Sequence, residues 1–310
     1  MRIEFYLCRM NKNLLSWILL LSLSLVWGSS FILMKRGLEA FSSEQVAALR
    51  IGIAALFLFP FLLKHYKIDF KKYGLGLFIM GMFGNFIPAF LFTKAETGIS
   101  SSLAGMLNAL TPLFTLMVGS IALKTKAQKP QIAGVLLGLG GALLLLSFSG
   151  GQENKEPLKY GGLVVMATFC YAISVNGIKK FLSDLNSVKA SVWAFMITGP
   201  LAWISLFSGD FLTRIENHPM ASQSLFYICI LAIVGSALSV MVFNVLIKLS
   251  GPVFASSCTY LIPIVAIFWG FLDGERIVGM QILAVFIVLG GIWLINVRKK
   301  EEKENKVIVD

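Results

Sequence analysis

The chain has 310 residues, of which 57% are hydrophobic and only 14% are charged, and its mean hydropathy is +0.80. Soluble domains are about half apolar and about a quarter charged, so this composition excludes them and indicates a protein that crosses a membrane several times. The net charge of +11 could suggest a nucleic-acid partner, but the placement of the basic residues explains it better by membrane topology.

Ten hydrophobic runs are each close to the roughly 20 residues that cross a bilayer. Because these runs are continuous rather than alternating, they favour helices over the strands of a barrel. The first five cover residues 14–33, 46–63, 73–92, 102–123 and 131–148. The second five cover residues 160–178, 188–207, 225–247, 253–272 and 278–296. The sequence therefore predicts an all-α integral membrane protein with ten transmembrane helices.

The two sets of five runs look like copies of one design. Pro112 in the fourth run is matched by Pro263 in the ninth, and the glycine pair that begins at Gly140 is matched by the pair that begins at Gly290. Several matches in the same order indicate an internal repeat. Five is an odd number, so the second copy enters the membrane from the opposite side. We therefore expect two inverted five-helix repeats.

Charge and polarity set the boundaries of these repeats. We expect an N-terminal tail at residues 1–13, a first repeat at 14–148, a polar linker at 149–159, a second repeat at 160–297 and a C-terminal tail at 298–310. With a cytoplasmic N-terminus, nineteen of the 27 Lys and Arg residues fall on the inner side and seven on the outer side. The positive-inside rule then predicts a multi-pass protein of the inner (plasma) membrane with both termini in the cytoplasm.

Three short stretches carry a resemblance to a known family: LVWGSSF at residues 25–31, AALR at 47–50 and GER at 274–276. With them, nearly the whole chain resembles the EamA family of the drug/metabolite transporter superfamily. The resemblance implies ten helices as two inverted repeats around a central cavity, and the export of amino acids or other small metabolites. The chain departs from the family pattern at residues 124–126, where KTK replaces the loop glutamate that the second repeat keeps as Glu275.

Pro112 and Pro263 lie inside predicted helices. Proline removes an amide donor and crowds the carbonyl four residues earlier, here that of Asn108 or Thr259. Each helix is therefore predicted to break at its proline. Matched breaks in two halves point to a transport site, because freed carbonyls can face a substrate or an ion. A break that serves packing alone is the alternative.

Polar and aromatic side chains inside the runs are the candidates for a substrate pathway, because polar groups in a membrane usually face the interior of the bundle. These candidates are Trp27, Ser30, Arg50, Asn85, Asn108, Thr111, Asn176, Asn244, Tyr260 and Trp269. Helix packing uses the same residue types and is the alternative for each. Arg50 could bind a substrate carboxylate with its planar guanidinium; it could also snorkel to the outer interface or pair with Glu44.

Other chemistry finds little support in the sequence. The sixteen acidic residues fall in tails, loops or at helix ends, with Glu96 at the end of the third run, so we expect no proton relay and no obligatory proton coupling. Cys8, Cys170, Cys229 and Cys258 are interpreted as small apolar residues. No nucleotide-binding loop, metal cluster or nucleophile–base spacing is found, so we expect no enzyme, no cofactor and no metal.

The sequence and the resemblance together predict a secondary transporter that exports small polar metabolites, with amino acids favoured, by alternating access between inverted repeats. A drug or nucleotide-sugar carrier of the same fold and a non-transporting membrane scaffold are the alternatives. The expected partners are a small-molecule substrate and the lipid bilayer, without nucleic acid, for a monomer or a homodimer.

Overall fold

The computed structural model describes residues 12–65, 67–122, 129–148, 156–291 and 293–294. All regular secondary structure in these ranges is helical, which confirms the all-α prediction. Eight of the described helices are long and apolar enough to cross a membrane, and two shorter apolar helices cover Ile132–Ser147 and Gly279–Gly291. Most of both predicted tails, most of the linker, the KTK stretch at 124–126 and Cys8 lie outside the described residues.

We number the apolar helices of the described ranges α1 to α10 in chain order. The first five are α1 (Lys12–Gly37), α2 (Ser43–His65), α3 (Phe70–Ala95), α4 (Ser101–Ala122) and α5 (Lys129–Ser147). The second five are α6 (Pro157–Phe181), α7 (Ser187–Phe207), α8 (Ala221–Gly251), α9 (Phe254–Leu272) and α10 (Gly279–Gly291). A short helix that the sequence analysis did not predict, Phe211–Asn217, lies between α7 and α8.

Local sequence explains where several helices begin. Asp69 precedes α3, and its carboxylate accepts hydrogen bonds from the backbone amides of Lys71 and Lys72. Asn186 does the same for the first turn of α7, and the Ser100 hydroxyl accepts from the amide of Leu103 in α4. Short polar side chains at this position satisfy amides that have no partner within the helix. The polar residues between the runs therefore mark the helix starts.

Four of the described helices are interrupted, at matching places in the two halves. In α3 and α8 the α-helix changes to π-helical segments at Met82–Phe86 and Leu231–Leu238. In α4 and α9 it changes to 3-10 turns at Asn108–Leu110 and Ser257–Tyr260, just before the residue pairs that contain Pro112 and Pro263. The 3-10 turns lie where the sequence predicted helix breaks. Nothing in the sequence analysis predicted the π-helical segments.

Small residues allow close helix contacts. A Cβ atom at Gly105 of α4 would lie 2.3 Å from the Cβ of Ala266 in α9, and one at Gly291 of α10 would lie 2.6 Å from the carbonyl oxygen of Gly134 in α5. Neither position could hold a larger side chain without moving a helix. Elsewhere α2 packs against α7, and α3 and α4 both pack against α6. The interrupted helices are thereby held around the middle of the bundle.

The two ends of the bundle differ in their ion pairs. We call the end that carries the loop of residues 273–278 the Asp273 end; there Lys35 lies 2.6 Å from Asp273 and 2.8 Å from Glu275. We call the other end the Asp184 end; there Lys72 pairs with Asp184 at 2.5 Å, and both side chains are about half exposed. The Asp273 end therefore has buried carboxylates in ion pairs, Asp273 and Glu275, whereas both members of the pair at the Asp184 end are solvated.

Candidate functional site

A cavity of about 90 Å³ lies in the centre of the bundle, with lining residues from α1, α2, α3, α4, α6, α8 and α9. Seven of the ten pathway candidates line it: Trp27, Ser30, Arg50, Asn85, Asn108, Thr111 and Asn244. Because these residues come from five different helices, the fold collects into one place polar groups that are far apart in sequence. The arrangement can bind a small organic molecule that carries both polar and apolar parts.

Three candidates lie outside the lining. The Asn176 amide donates hydrogen bonds to the carbonyl oxygens of Thr115 and Ala172, each at 2.9 Å, and so ties α6 to α4. Trp269 is 36% exposed and donates from Nε1 to the Ser29 hydroxyl at 2.8 Å. Tyr260 packs against an apolar cluster. In each case the side chain makes a contact between helices or with the core.

The 3-10 turns place hydroxyl and amide groups against the cavity. Thr111 donates from its hydroxyl to the carbonyl oxygen of Asn108 at 2.8 Å, and Thr259 donates to the carbonyl oxygen of Ser256 at 2.8 Å. The carbonyl of Asn108, which the sequence analysis expected to be free for a substrate, is thus bonded by a neighbouring hydroxyl. Asn108, Thr111 and Thr259 line the cavity, whereas Tyr260 does not.

Each π-helical segment presents a glycine and a polar residue to the cavity. The Asn85 amide donates to the carbonyl oxygen of Met80 at 3.1 Å, and the Ser236 hydroxyl donates to that of Leu231 at 3.3 Å. In both cases the acceptor lies five residues back. Trp27 donates from Nε1 to the carbonyl oxygen of Gly235 at 3.0 Å. π-Helical segments occur often at functional sites. The available sequence signal was a glycine followed by a polar residue inside an apolar run, at matching places in both halves.

Arg50 points into the cavity and forms no ion pair with a described residue. Its Nε donates to the Ser236 hydroxyl at 2.7 Å, and its Nη1 lies 3.7 Å from the sulfur of Met34. Glu44, the alternative partner, instead pairs with Lys94 at 3.3 Å on the surface. A guanidinium held in this way still has donors to offer an anion.

Aromatic rings border the cavity near Arg50. The rings of Phe31 and Phe92 meet edge to face at 5.6 Å, and Phe92 stacks on Tyr171 at 5.9 Å. We call these three residues, all of which line the cavity, the aromatic layer. Trp27 meets Phe243 edge to face at 5.0 Å elsewhere in the lining. These rings give the cavity an apolar surface for a substrate side chain.

Glu275 is a buried acid with a full set of partners. Its carboxylate accepts hydrogen bonds from the amides of Ser101 and Ser102 at 3.1 and 3.0 Å, from the Ser101 hydroxyl at 2.7 Å and from Lys35 at 2.8 Å. Burial would raise the pKa of Glu275, but these hydrogen bonds and the charge of Lys35 lower it below its ordinary value. The loop before α10 is thereby fixed to the start of α4.

Glu96 is a second buried acid, and it has no such partners. It follows the last residue of α3, and neither of its shielded carboxylate oxygens bonds any described residue. Burial, helped by the negative charge of Glu275, raises the pKa of Glu96 well above its ordinary value against the opposing charges of Lys35 and Arg50. The sequence analysis placed Glu96 at a helix end, as the structure does, but did not predict that its carboxylate is shielded there.

Asn244 supplies an unused acceptor to the lining. Its side-chain amide donates to the Ser191 hydroxyl at 2.8 Å, while its buried Oδ1 bonds no described residue. Within the described ranges no group of three or more His, Cys, Asp or Glu residues is placed to hold a metal ion. The polar chemistry of the cavity thus consists of amides, hydroxyls and the Arg50 guanidinium.

Comparisons with known proteins show that the chain is similar to transporters. The sequence model of the EamA-like transporter family matches residues 14–147 and again residues 159–297. An uncharacterized inner membrane transporter of Escherichia coli K12, YedA, is 27% identical over 286 residues, which are 90% of each chain.

Two further relatives have names that state a substrate. A probable amino-acid metabolite efflux pump of Salmonella typhimurium is 27% identical over 87% of this chain and 90% of its own length. An S-adenosylmethionine/S-adenosylhomocysteine transporter of Chlamydia muridarum is 24% identical over 86% of each chain. One crystal structure shares the fold with a TM-score of 0.59 at 15% identity, covering 92% of this chain and 96% of the other.

Proposed function

Since the chain belongs to the EamA-like transporter family, we propose that it is a secondary transporter that exports small polar metabolites, with amino acids as the substrate class, by alternating access. The observation that carries this proposal is Arg50, a cation that lines the central cavity without an ionic partner among the described residues. A planar guanidinium suits a carboxylate, which it can bind with two parallel hydrogen bonds. The relative named for amino-acid metabolite efflux supports the same class.

We also propose that ten helices cross the membrane as two inverted five-helix repeats. The two family matches support this, as do the paired π-helical segments of α3 and α8 and the paired 3-10 turns of α4 and α9. In inverted-repeat carriers the substrate site lies near the midplane, where interrupted helices from both halves meet. The central cavity fits that place.

Topology gives the first prediction. Single cysteines at Asn154 and His65, in a variant whose four native cysteines are replaced by serine, should react with a membrane-impermeant maleimide from opposite sides of the membrane. We expect Asn154→Cys to react in intact cells and His65→Cys to react only after the cells are opened, because the positive-inside rule puts residue 65 in the cytoplasm. Reaction of both cysteines in intact cells would contradict the ten-helix topology.

Arg50 gives the second prediction, which tests the function itself. Purified protein in proteoliposomes should move at least one of the twenty amino acids, and Arg50→Gln should lower that flux by about tenfold or more. This loss corresponds to the roughly 1.5–3 kcal/mol of a hydrogen bond to a charged group. Arg50→Lys should restore only part of the flux, because an ammonium lacks the planar fork.

Lys94→Gln is the matched control, since Lys94 is a basic residue at the same end but lies on the surface. It should leave flux unchanged. The same panel should include nucleotide sugars and cationic drugs. Flux of one of these without flux of any amino acid would replace the proposed substrate class, and protein that moves nothing would favour the scaffold.

A further inference from the structure

Glu96 stands apart from the other acids at the Asp273 end. Glu39, Glu44, Asp273 and Glu275 each form an ion pair there. Glu96 accepts no hydrogen bond from any described residue, although both of its oxygens are shielded from solvent. A buried polar group normally has a partner, because leaving it without one costs free energy. The position therefore suits a partner that the described residues do not supply.

The helix places Glu96 in line with the cavity. Glu96 follows Phe92 by four residues and Asn85 by eleven, so the three lie along one side of α3. Asn85 and Phe92 line the cavity, as does Arg50. Glu96 and Arg50 also lie close enough for their charges to interact, yet no hydrogen bond joins them. The Glu96 carboxyl and the Arg50 guanidinium thus lie near each other with no hydrogen bond between them.

The other charged groups near Glu96 are already engaged. Lys35 of α1 bonds Asp273 and Glu275, and the Glu275 carboxylate accepts from Lys35 and from the start of α4. Tyr171 of α6 lies near Arg50 and stacks on Phe92. Of the two described cations whose charges act on Glu96, only Arg50 has no carboxylate partner, and its side chain is held by Ser236.

We propose that Glu96 forms the second charged end of the substrate site and binds the ammonium group of a zwitterion whose carboxylate is bound by Arg50. This inference rests on the proposed function and narrows the substrate to compounds that carry both groups, of which α-amino acids are the smallest class. The ammonium donates hydrogen bonds to the Glu96 carboxylate, and the substrate carboxylate accepts them from Arg50. The aromatic layer then contacts the apolar side chain of the substrate.

Binding of such a substrate releases a proton. Burial raises the pKa of Glu96 well above its ordinary value in the empty site, which favours the neutral acid. An arriving ammonium favours the ionised carboxylate, so the carboxylic acid gives its proton to solvent as the ion pair forms. Apparent affinity therefore rises with pH until Glu96 is already ionised in the empty protein. A purely structural Glu96 would release no proton.

Three probes of the same shape separate the two charged ends. L-Leucine carries both groups, 4-methylpentanoate lacks the ammonium, and 3-methylbutylamine lacks the carboxylate. Calorimetry on the purified full chain should show that Glu96→Gln weakens the binding of leucine and of the amine by about tenfold or more. The affinity for 4-methylpentanoate should change by no more than about twofold. Arg50→Gln should weaken the binding of leucine and 4-methylpentanoate and leave the binding of the amine unchanged. Leucine should release a proton on binding to the wild type and none on binding to Glu96→Gln.

Glu44→Gln is the matched control, because it makes the same change at an exposed acid of the same end. It should alter no affinity, and the melting temperature should show that Glu96→Gln is folded. Equal weakening of all three probes by Glu96→Gln would overturn the inference, and so would leucine binding that this variant does not change, while the proposed function would stand. A wild type that binds none of the probes and moves no amino acid would overturn both.

Discussion

Replacing Glu275 with glutamine should lower the free energy of unfolding by about 3 kcal/mol, near the lower limit for breaking a buried ion pair. The carboxylate accepts hydrogen bonds from two backbone amides, one hydroxyl and Lys35. Glutamine would place an NH2 group, which is itself a donor, against some of these donors. The loss stays at the lower limit because Lys35 keeps Asp273 as a partner. Thermal unfolding in detergent, with and without the substitution, measures the effect.

The same contact has a pH signature. The pKa of Glu275 is lowered in the folded protein, so its stabilising contribution is complete above the unfolded value of about 4.3 and is lost as the pH falls through the lower folded value. Glu275→Gln should remove this acid-sensitive part of the stability. Asp184→Asn is the control, because Asp184 pairs with Lys72 on the surface, where ion pairs contribute little. Equal melting temperatures for the two variants would contradict the interpretation that the buried contacts of Glu275 stabilise the fold.

Replacing Pro112 or Pro263 with alanine should slow transport by about tenfold, a change of about 1.4 kcal/mol in the barrier, and leave the protein folded. Alanine restores an amide that can bond the carbonyl four residues back, so the 3-10 turn can become α-helix. In α4 this amide would compete with Thr111 for the carbonyl of Asn108 and would turn Asn108 and Thr111 away from the cavity. An interior proline disfavours a helix by about 3 kcal/mol, so stability need not fall.

Pro60→Ala and Pro200→Ala are matched controls. These prolines lie inside α2 and α7, are exposed, and do not line the cavity. They should leave the flux per folded molecule unchanged. Flux in proteoliposomes and the melting temperature, measured on all four variants, separate the two interpretations of the breaks. Normal flux in Pro112→Ala and Pro263→Ala would show that the breaks serve packing alone.

Much of the site could be predicted from the sequence because of one physical constraint. Polar side chains inside a membrane are costly against lipid, so they turn inward, and seven of the ten candidates line the same cavity. The constraint cannot tell a free polar group from one used between helices. Asn176 and Trp269 serve contacts between helices. Their N–H groups donate hydrogen bonds to carbonyl or hydroxyl oxygens of neighbouring residues.

The features that the sequence analysis missed depend on contacts that are distant in the chain. Glu96 was placed at the end of the third run, and the run alone does not show that surrounding elements shield its carboxylate. The π-helical segments need one extra residue in a turn, and hydrophobic runs look the same with or without it. Hydropathy is a property of each run alone, whereas burial at a helix end and the helix type are decided by neighbours.

The hydrogen bonds of Glu275 join the loop before α10 to the start of α4, which belong to opposite halves of the chain. In the sequence, the matching segment of the first half carries KTK where the second half carries its glutamate. In the proposed alternating-access cycle, opening the Asp273 end breaks these hydrogen bonds, which biases the empty protein toward a shut Asp273 end. Such a bias sets how long the protein waits between cycles. It cannot set the direction of net flow, which only the substrate gradient and any coupled ion decide.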